Sequence, residues 1–304
     1  MSLLRNTHRF YGSSSSAVTA QSWIYAKVFK GEPTQQNFRL EREDLPALAD
    51  GDFLARADYI SVDPYMRPYM MAYPEGTPMI GGQVATVLDS RNPAFPVGSA
   101  IFGQFGWRTH TVCNPAKLKT DLPYVLPDFG SLPTSLALGV LGMPGNTAYF
   151  GLSELCAPKE EETVVVSGAA GAVGSIVGQI AGSDDKCKWL KELGFDEVIT
   201  EAVMRLMNTF GRIAVCGTIS NYNGVPIQVQ DPQTDFVFKQ LRMEGFIVSR
   251  WVDRWTEGIM ANLGWIREGK LQWQETVSEG FKSMPQAFMD MLKGGNTGKA
   301  VVKV

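Results

Sequence analysis

The sequence predicts an α/β protein with two domains, one rich in short strands and one built around a glycine-rich turn. Three observations lead to this class. Residues 163–181 read TVVVSGAAGAVGSIVGQIA, the pattern of a strand, a turn and a helix. The preceding hundred residues alternate short apolar runs with Gly, Pro and Asp turns. A length of 304 residues is enough for two domains and a cleft between them.

The glycine-rich stretch indicates a site for a dinucleotide. Val164–Val166 form a β-branched run typical of a strand buried on both faces, and helical periodicity begins near Ala172. Gly171 and Gly174 let the backbone approach a pyrophosphate at the positive end of the helix. The first glycine of the usual G-x-G-x-x-G is replaced, and a small-residue turn that serves packing alone is the alternative. The strand–turn–helix context favours the dinucleotide.

The other elements follow from hydrophobic periodicity and turn residues. The predicted β-rich series suggests a small barrel or sandwich, with strands at 22–29, 38–45, 53–64, 83–90, 99–103 and 108–114. Residues 131–155 are helical with a break at 143–146, and two more helices are expected at 183–195 and 201–210. The segment 212–220 contains a buried strand that ends at Gly217, and an apolar stretch follows at 241–251. The last elements are a helix near 255–268 and a closing strand at 299–304.

Charge and hydropathy exclude several classes of partner. A net charge of −3 gives no electrostatic reason to expect nucleic acid or an anionic membrane. No apolar run approaches the roughly 20 residues that span a bilayer. The start of the chain, MSLLRNTHRFYGSSSS, lacks the apolar core of a signal peptide. We therefore expect a cytoplasmic protein.

Histidine and cysteine are too dispersed to predict a metal centre. A catalytic zinc takes about three protein ligands in close array. Only His8 and His110 occur, and His110 reads as a strand residue on a half-exposed face. The four cysteines show no C-x-x-C spacing and read as small buried hydrophobes of a reducing compartment: Cys113, Cys156, Cys187 and Cys216. The same shortage of histidine argues against a Ser-His-Asp hydrolase.

Eight motifs in order give the chain a family resemblance. They are VDPYMR (62–67), GMPGNTAYFGL (142–152), the AAGAVGS turn, GSDDKCKWLKELGFD (182–196), GRIAVCGTISNYN (211–223), LRMEGFIVSRW (241–251), GFKSMPQAFMDML (280–292) and GGNTGKAVV (294–302). Together they resemble the prostaglandin reductases, the zinc-independent medium-chain reductases also known as leukotriene B4 12-hydroxydehydrogenases or alkenal/one oxidoreductases. The resemblance implies a GroES-like β-rich catalytic domain over 1–135 and 271–304, and a Rossmann dinucleotide-binding domain over 136–270. It also implies a homodimer through the edge strand near Phe246.

Two junctions depart from the family pattern. Ala181 runs directly into Gly182 where the family has a helix end and the second Rossmann strand. Thr200 runs directly into Glu201 where the family has a helix, a further parallel strand and an asparagine-bearing turn. A βαβ unit cannot close without its strand. We favour residues omitted at these junctions, because a sheet without those strands should fold poorly; a true deletion by splicing or engineering is the alternative.

The resemblance implies NADPH as the cofactor and assigns its contacts. The turn residues Gly171, Ala172, Val173 and Gly174 would line the pyrophosphate, and Lys186 matches the lysine that meets the 2′-phosphate. The strand end and loop around the nicotinamide ribose would be Cys216, Gly217, Thr218, Ile219, Ser220, Asn221 and Tyr222. Phe246, Ile247 and Val248 would offer backbone groups to the carboxamide, and Asn296 matches a contact from the C-terminal segment. A tyrosine and an asparagine that the family supplies from the missing stretch have no counterpart here, so full cofactor affinity is in question.

The implied reaction is conjugate reduction of a lipid enone or alkenal. Charge develops on the carbonyl oxygen as the double bond is reduced, and that oxygen needs a hydrogen-bond donor. Tyr222 is the predicted catalytic donor. Tyr65 and Arg67 are expected to face the substrate, Arg67 either toward a fatty-acid carboxylate or in a structural salt bridge. An adaptable apolar wall would be made by Met66, Tyr69, Met70, Met71 and Tyr73, unless these side chains are plain core.

Two other functions stay open at this point. A quinone oxidoreductase shares the fold and the lack of zinc. A non-catalytic relative would keep the fold without full cofactor binding.

Overall fold

A computed structural model describes residues 18–118, 123–181, 199–223 and 232–304. Its strands are β1 (Thr19–Tyr25), β2 (Phe38–Asp44), β3 (Phe53–Ser61), β4 (Gln83–Ser90), β5 (Ala100–Gly103), β6 (His110–Cys113), β7 (Tyr124–Val125), β8 (Arg212–Val215), β9 (Arg242–Gly245), β10 (Glu275–Glu279) and β11 (Lys299–Lys303). Its α-helices are α1 (Met66–Met70), α2 (Met143–Phe150), α3 (Gly174–Ala181), α4 (Ile199–Leu206), α5 (Gln233–Lys239), α6 (Trp255–Arg267) and α7 (Met284–Leu292). A π-helical turn at Gly151–Cys156 extends α2, and short 3₁₀ turns include Thr134–Leu138, Ile219–Asn221 and Val248–Arg254. The predicted α/β class is confirmed.

The largest sheet in the described part of the chain has seven strands and includes the C-terminal strand. Its order is β10-β11-β3-β4-β5-β7, with β6 paired to β3, while β1 and β2 form a separate antiparallel pair. The last strand, β11, lies parallel to β10 and antiparallel to β3, so that Val302 faces Ile60. The predicted closing strand is confirmed. The C-terminal segment is thus part of the sheet that the N-terminal strands build.

An aromatic core fixes the C-terminal helix against this β-rich part. Phe288 of α7 meets Trp107 edge-on at 5.7 Å between ring centroids, and Phe38 stacks on Trp107 at the same distance. Met66 and Met70 of α1 are fully buried in the same cluster. Because interlocking rings tolerate little displacement, this core holds the VDPYMR segment in a fixed place.

The α/β part contains one parallel pair of strands among the described residues. β8 and β9 pair from Arg212 opposite Arg242 to Val215 opposite Gly245. Both arginines reach the carbonyl groups where the π-helical turn ends: Arg212 Nε donates to Cys156 O at 2.7 Å, and Arg242 donates to Leu155 O. Cations at a helix C-terminus satisfy its unpaired carbonyls. The pair of strands is therefore fastened to the helix in front of it.

The predicted strand at Val164–Val166 is wrong. Residues 163–166 have no strand assignment, and the side chain of Val165 is 55% exposed. In a doubly wound sheet of order 3-2-1-4-5-6, the first strand lies between the second and the fourth. The family resemblance implies that those two strands are the ones missing at the junctions after Ala181 and Thr200. The valines would then lack hydrogen-bonding neighbours, whereas β8 and β9, the counterparts of the fifth and sixth strands, pair with each other.

Other expectations are met in part. The predicted break at 143–146 is the beginning of α2, where Pro144 occupies the first helical turn, which tolerates a missing N–H. His110 is half-buried in β6, as predicted. The helix expected at 183–195 lies outside the described residues, and the domain boundaries at 135/136 and 270/271 stay a prediction. Among the described helices, none is long and apolar enough to cross a bilayer.

Candidate active site

The glycine-rich turn is held by contacts that require glycine. Gly168 has a φ of +59°, in the left-handed region, and its carbonyl accepts a hydrogen bond from Gly171 N at 2.8 Å. The same carbonyl lies against Gly174, so a Cβ at position 174 would overlap it. These close approaches fold the turn tightly in front of α3.

The turn presents free donors at the start of α3. The N–H groups of Ala172, Val173 and Gly174 donate no hydrogen bond to a described residue, whereas Ser175 N already bonds to Gly171 O at 3.0 Å. Unpaired N–H groups at a helix N-terminus attract an anion through their partial positive charge. This is the arrangement that a pyrophosphate needs.

The C-terminal segment packs directly on the turn. Gly298 N donates to Ala170 O at 2.8 Å, and Gly171 and Gly298 form a parallel bridge. Asn296 Nδ2 donates to Gly298 O at 2.8 Å, which places the predicted cofactor contact Asn296 beside the turn. Gly298 has a φ of +67°, and a side chain there would overlap Gln274 O. The turn is thereby braced from outside its own α/β part.

The loop after β8 lines the same cleft as the glycine-rich turn. Cys216, Gly217, Thr218, Ile219, Asn221 and Tyr222 all line it. The Tyr222 hydroxyl accepts a long hydrogen bond, 3.4 Å, from Thr218 N and lies above Gly217, where an added Cβ would be 3.3 Å away. Because the oxygen accepts this bond, its own proton stays available for a further acceptor. The backbone of Ser220 belongs to the 3₁₀ turn of this loop.

Phe246 to Val248 extend the wall from the end of β9. Phe246 N donates to Val215 O at 3.0 Å, and the Phe246 ring meets Trp251 edge-on at 5.5 Å. The ring also lies over Gly151, where an added Cβ would come within 2.8 Å of Cζ. Val248 is buried and Ile247 exposed, and all three residues line the cleft. The π-helical turn thus fixes the place of this segment.

Tyr65 comes to the cleft from the β-rich part. Its ring lies 5.3 Å from that of Tyr69, edge-on, and both residues line the cleft. Burial raises the pKa of the Tyr65 phenol well above its usual value, and the neighbouring charge of Asp63 raises it further. A phenol that keeps its proton is a permanent hydrogen-bond donor.

Arg67 does not reach the cleft, which corrects the prediction that it faces the substrate. It is 2% exposed and donates to Gly31 O at 2.9 Å and to the Met71 sulfur at 2.8 Å. Its guanidinium lies 4.9 Å from the centroid of the Phe29 ring. No described carboxylate pairs with it, so the alternative of a salt bridge is wrong as well. The side chain turns inward because a cation–π contact and a carbonyl satisfy it there.

The proposed apolar wall divides in two. Met66 and Met70 are core side chains, because helix α1 turns them toward Trp107 and its neighbours. Tyr69, Met71 and Tyr73 are exposed, and the two tyrosines line the cleft. Within residues 18–118, 123–181, 199–223 and 232–304, no group of three or more His, Cys, Asp or Glu is placed to hold a metal ion. Lys186 and Cys187 lie outside these ranges.

Sequence reasoning missed Gly298 and Lys299, which join the C-terminal segment to the site. The only available signal was the glycine-rich GGNTGK before a strand, which also fits an ordinary turn. Lys299 gave none, because a lysine at the start of an apolar strand usually points to solvent.

Comparison with known proteins decides the family. A family profile described as the N-terminal domain of oxidoreductase matches residues 21–120. Prostaglandin reductase 1 of Mus musculus is 45% identical, over 94% of this chain and 99% of that protein. The chain belongs to the prostaglandin reductase family. The NADP(+)-dependent 2-alkenal reductase of Nicotiana tabacum is 34% identical, over 83% of this chain and 87% of that protein.

A solved structure supports the fold of this chain. CurA from Vibrio vulnificus in complex with NADPH is 32% identical and superposes with a TM-score of 0.81, over 93% of this chain and 99% of that one. The alignment to the mouse protein spans 330 positions, whereas 94% of 304 residues is about 286. About 44 positions of the alignment therefore have no residue in this chain.

Proposed function

We propose that this protein uses NADPH to reduce the carbon–carbon double bond of α,β-unsaturated ketones and aldehydes. The observation that carries the proposal is the shared cleft. The free N–H groups before α3, the Tyr222 loop and Tyr65 all border it, in a chain of the prostaglandin reductase family.

The described residues fit the pyrophosphate and nicotinamide ends of the cofactor. Ala172, Val173 and Gly174 would donate backbone N–H groups to the phosphates, with Gly171 allowing close approach. The loop 216–222 and the segment 246–248 would enclose the nicotinamide and its ribose, and Asn296 would close the site from the C-terminal side. Lys186 would hold the 2′-phosphate.

Bound NADPH would supply the hydride for the β-carbon of the enone, and a proton from solvent would complete the reduction at the α-carbon. The residues of the chain then stabilise the negative charge that develops on the carbonyl oxygen. Tyr222 donates its hydroxyl proton in a hydrogen bond to that oxygen, since its own oxygen is already held by Thr218 N–H. Tyr65, kept protonated by burial and by Asp63, adds a second donor on the substrate side of the cleft. The exposed rings of Tyr69 and Tyr73 pack against an apolar tail.

The substrate class is a lipid enone or alkenal, of the 15-oxoprostaglandin type. The mouse relative is named a prostaglandin reductase and the tobacco relative a 2-alkenal reductase. The two names together cover a long and a short type of substrate. The cleft can accept both, because its substrate side is lined by exposed aromatic rings rather than by a buried cation.

One observation favours a second function, that of a relative with impaired cofactor binding. Val165 is exposed and residues 163–166 form no strand, so the support behind the glycine-rich turn is weaker than in a complete doubly wound sheet. Such a protein would keep the enone cleft and bind NADPH weakly.

The same proposal includes a cytoplasmic homodimer. β9 pairs with β8 along one edge, and Met243 and Ile247 are exposed beside it. A second copy of the chain would cover these apolar side chains and the edge of β9 that pairs with no described strand. Sedimentation equilibrium should give twice the chain mass, and a monomer at micromolar concentration would contradict the dimer.

Oxidation of NADPH with a short panel of enones, alkenals and quinones tests the reaction. We expect turnover of the enones and alkenals at a higher kcat/KM than that of quinones. Tight NADPH binding without turnover of any of them would contradict the proposed reaction. Failure to bind NADPH would instead support the cofactor-impaired relative.

A further inference from the structure

A buried ion pair links the last strand to the segment that carries Tyr65. Lys299 Nζ lies 3.0 Å from Asp63 Oδ1, and the two side chains are 4% and 6% exposed. The same ammonium donates to Val62 O and to Ala300 O, each at 2.7 Å. Ser61 donates its hydroxyl to the second oxygen of Asp63. Every donor of the ammonium is therefore used, and both carboxylate oxygens are paired.

These bonds act on one short segment of the cleft wall. Val62, Asp63 and Tyr65 line the cleft, and Val62 N also donates to Ala300 O at 3.2 Å. Lys299 reaches them by its side chain. By its backbone it belongs to the other side of the site, because Lys299 N donates to Gln274 O at 3.0 Å and the adjoining Gly298 N donates to Ala170 O.

Stability alone does not account for a buried ion pair. Removing two charges from water costs about as much as their attraction returns, so apolar residues of similar volume often serve as well. What the pair does provide is a single allowed position for residues 61–63 against β11, since any displacement would leave a buried charge without its partner.

We propose that Lys299 is a positioning residue that sets the place of Tyr65 in the substrate cleft through Asp63 and Val62. The inference rests on the proposed reduction of enones, in which Tyr65 is a donor on the substrate side. The division between side chain and backbone gives it a specific consequence. Loss of the Lys299 side chain should impair handling of the enone and leave cofactor binding unchanged, because the contacts toward the glycine-rich turn are made by the backbone.

The experiment compares Lys299→Met with Lys303→Met. Lys303 lies on the same strand, is 52% exposed and is 3.9 Å from Glu279, so its loss removes a lysine from β11 without touching Asp63. The dissociation constant of NADPH is measured by fluorescence, and kcat and KM are measured with an enone. We expect Lys299→Met to lose about ten- to a hundredfold in kcat/KM for the enone, the scale of a small misplacement of a reacting group, with an unchanged NADPH dissociation constant. Lys303→Met should match the native chain in both.

A Tyr65→Phe background tests whether the effect passes through Tyr65. In that background, Lys299→Met should lower kcat/KM for the enone only slightly further, because the effects of coupled residues are not additive. If the two substitutions lower kcat/KM by factors that multiply, the inference is overturned. If Lys299→Met alone does not fold, the double variant Lys299→Met with Asp63→Leu is measured in its place, since it removes both charges of the pair, and the same loss of kcat/KM for the enone is expected. A folded variant with native kcat/KM for the enone, or one whose NADPH affinity falls equally, would also overturn it. A native chain that binds NADPH without reducing enones would instead remove the proposed function.

Discussion

At the scale of single residues, the hydroxyl of Tyr222 carries the chemical argument. It accepts from Thr218 N–H at the end of β8 and keeps its proton for an acceptor in the cleft. Removing one donor to a developing oxyanion costs up to about 10²–10³-fold in turnover, less where the cofactor's ribose hydroxyl substitutes. Tyr222→Phe should therefore lower kcat for an enone far more than it raises the NADPH dissociation constant. An unchanged rate of the hydride step in single-turnover measurements would remove Tyr222 from the mechanism.

Lys186 is predicted to determine which nicotinamide cofactor is preferred. A charge-assisted contact to the 2′-phosphate is worth roughly 1.5–3 kcal/mol, or about ten- to a hundredfold in affinity. We expect NADPH to be favoured over NADH by this factor, and Lys186→Ala to abolish the preference while leaving the KM for NADH unchanged. Equal kcat/KM with both cofactors in the native chain would show that position 186 does not contact the phosphate.

What a sequence can say about a single residue depends on whether the backbone alone places it. Gly174 was predictable, because only a residue without a Cβ fits against Gly168 O, and Gly171 lies in close contact with the same carbonyl. Arg67 was not, because its direction depends on Phe29 and Gly31, more than thirty residues away. The direction of the Lys299 side chain could not be predicted for the same reason, since its partner Asp63 is more than two hundred residues away in the sequence.

At the scale of elements, the glycine-rich turn and α3 form one unit. A Cβ at position 174 would overlap Gly168 O, whereas Gly178 in the same helix has open space around its Cα. Gly174→Ala should open the turn and displace the N–H groups that hold the pyrophosphate, so NADPH binding should weaken severely. Gly178→Ala is the matched control. It should leave binding intact and raise stability by up to about 1 kcal/mol through helix propensity. Equal NADPH affinities in the two variants, by fluorescence titration, would contradict the assigned role of the turn.

We expect the connection between α2 and β8 to weaken in acid. Arg212 hydrogen-bonds Glu162 at 2.5 and 2.8 Å, and this contact, with Lys159 N–H, lowers the pKa of Glu162 from 4.5 to about 2. A carboxyl whose folded pKa lies below its unfolded pKa stabilises the fold fully above the unfolded value. That contribution is lost as the pH falls from about 4.5 toward 2. Glu162→Gln should therefore show a shallower fall of melting temperature over this range than the native chain; parallel curves would contradict the prediction.

Prediction of the elements succeeded where each strand finds its neighbour among residues that the chain retains. β3 to β6 follow from alternating apolar residues and turn signals. The β-branched run at Val164–Val166 carries an equally clear signal and forms no strand. The pattern indicates a capacity for burial, but a strand forms only when another segment hydrogen-bonds to it, as β8 and β9 do for each other. The family resemblance implies that the neighbours of Val164–Val166 are the segments missing at the two junctions.

At the scale of the whole molecule, the C-terminal segment connects the two halves of the site. β11 completes the seven-stranded sheet beside β3, while Gly298 bonds the glycine-rich turn and Lys299 bonds the segment before Tyr65. The cofactor side and the substrate side of the cleft are thus braced by neighbouring residues of one strand. This arrangement keeps the turn folded even where its own strand is missing.

The two shortened junctions have a measurable consequence for the mass of the natural protein. About 44 positions of the alignment to the mouse relative have no residue here, and at this chain's average of 33.4 kDa over 304 residues they correspond to about 5 kDa. If residues are omitted after Ala181 and Thr200, the protein isolated from its natural source should exceed 33.4 kDa by about that amount. It should then bind NADPH tightly, because Val164–Val166 would regain both neighbouring strands.

An intact mass of 33.4 kDa would refute the omission and establish a true deletion. The glycine-rich turn would then rest only on Gly298 and α3, and NADPH should bind weakly. Mass spectrometry and an NADPH titration on the same sample separate the two cases.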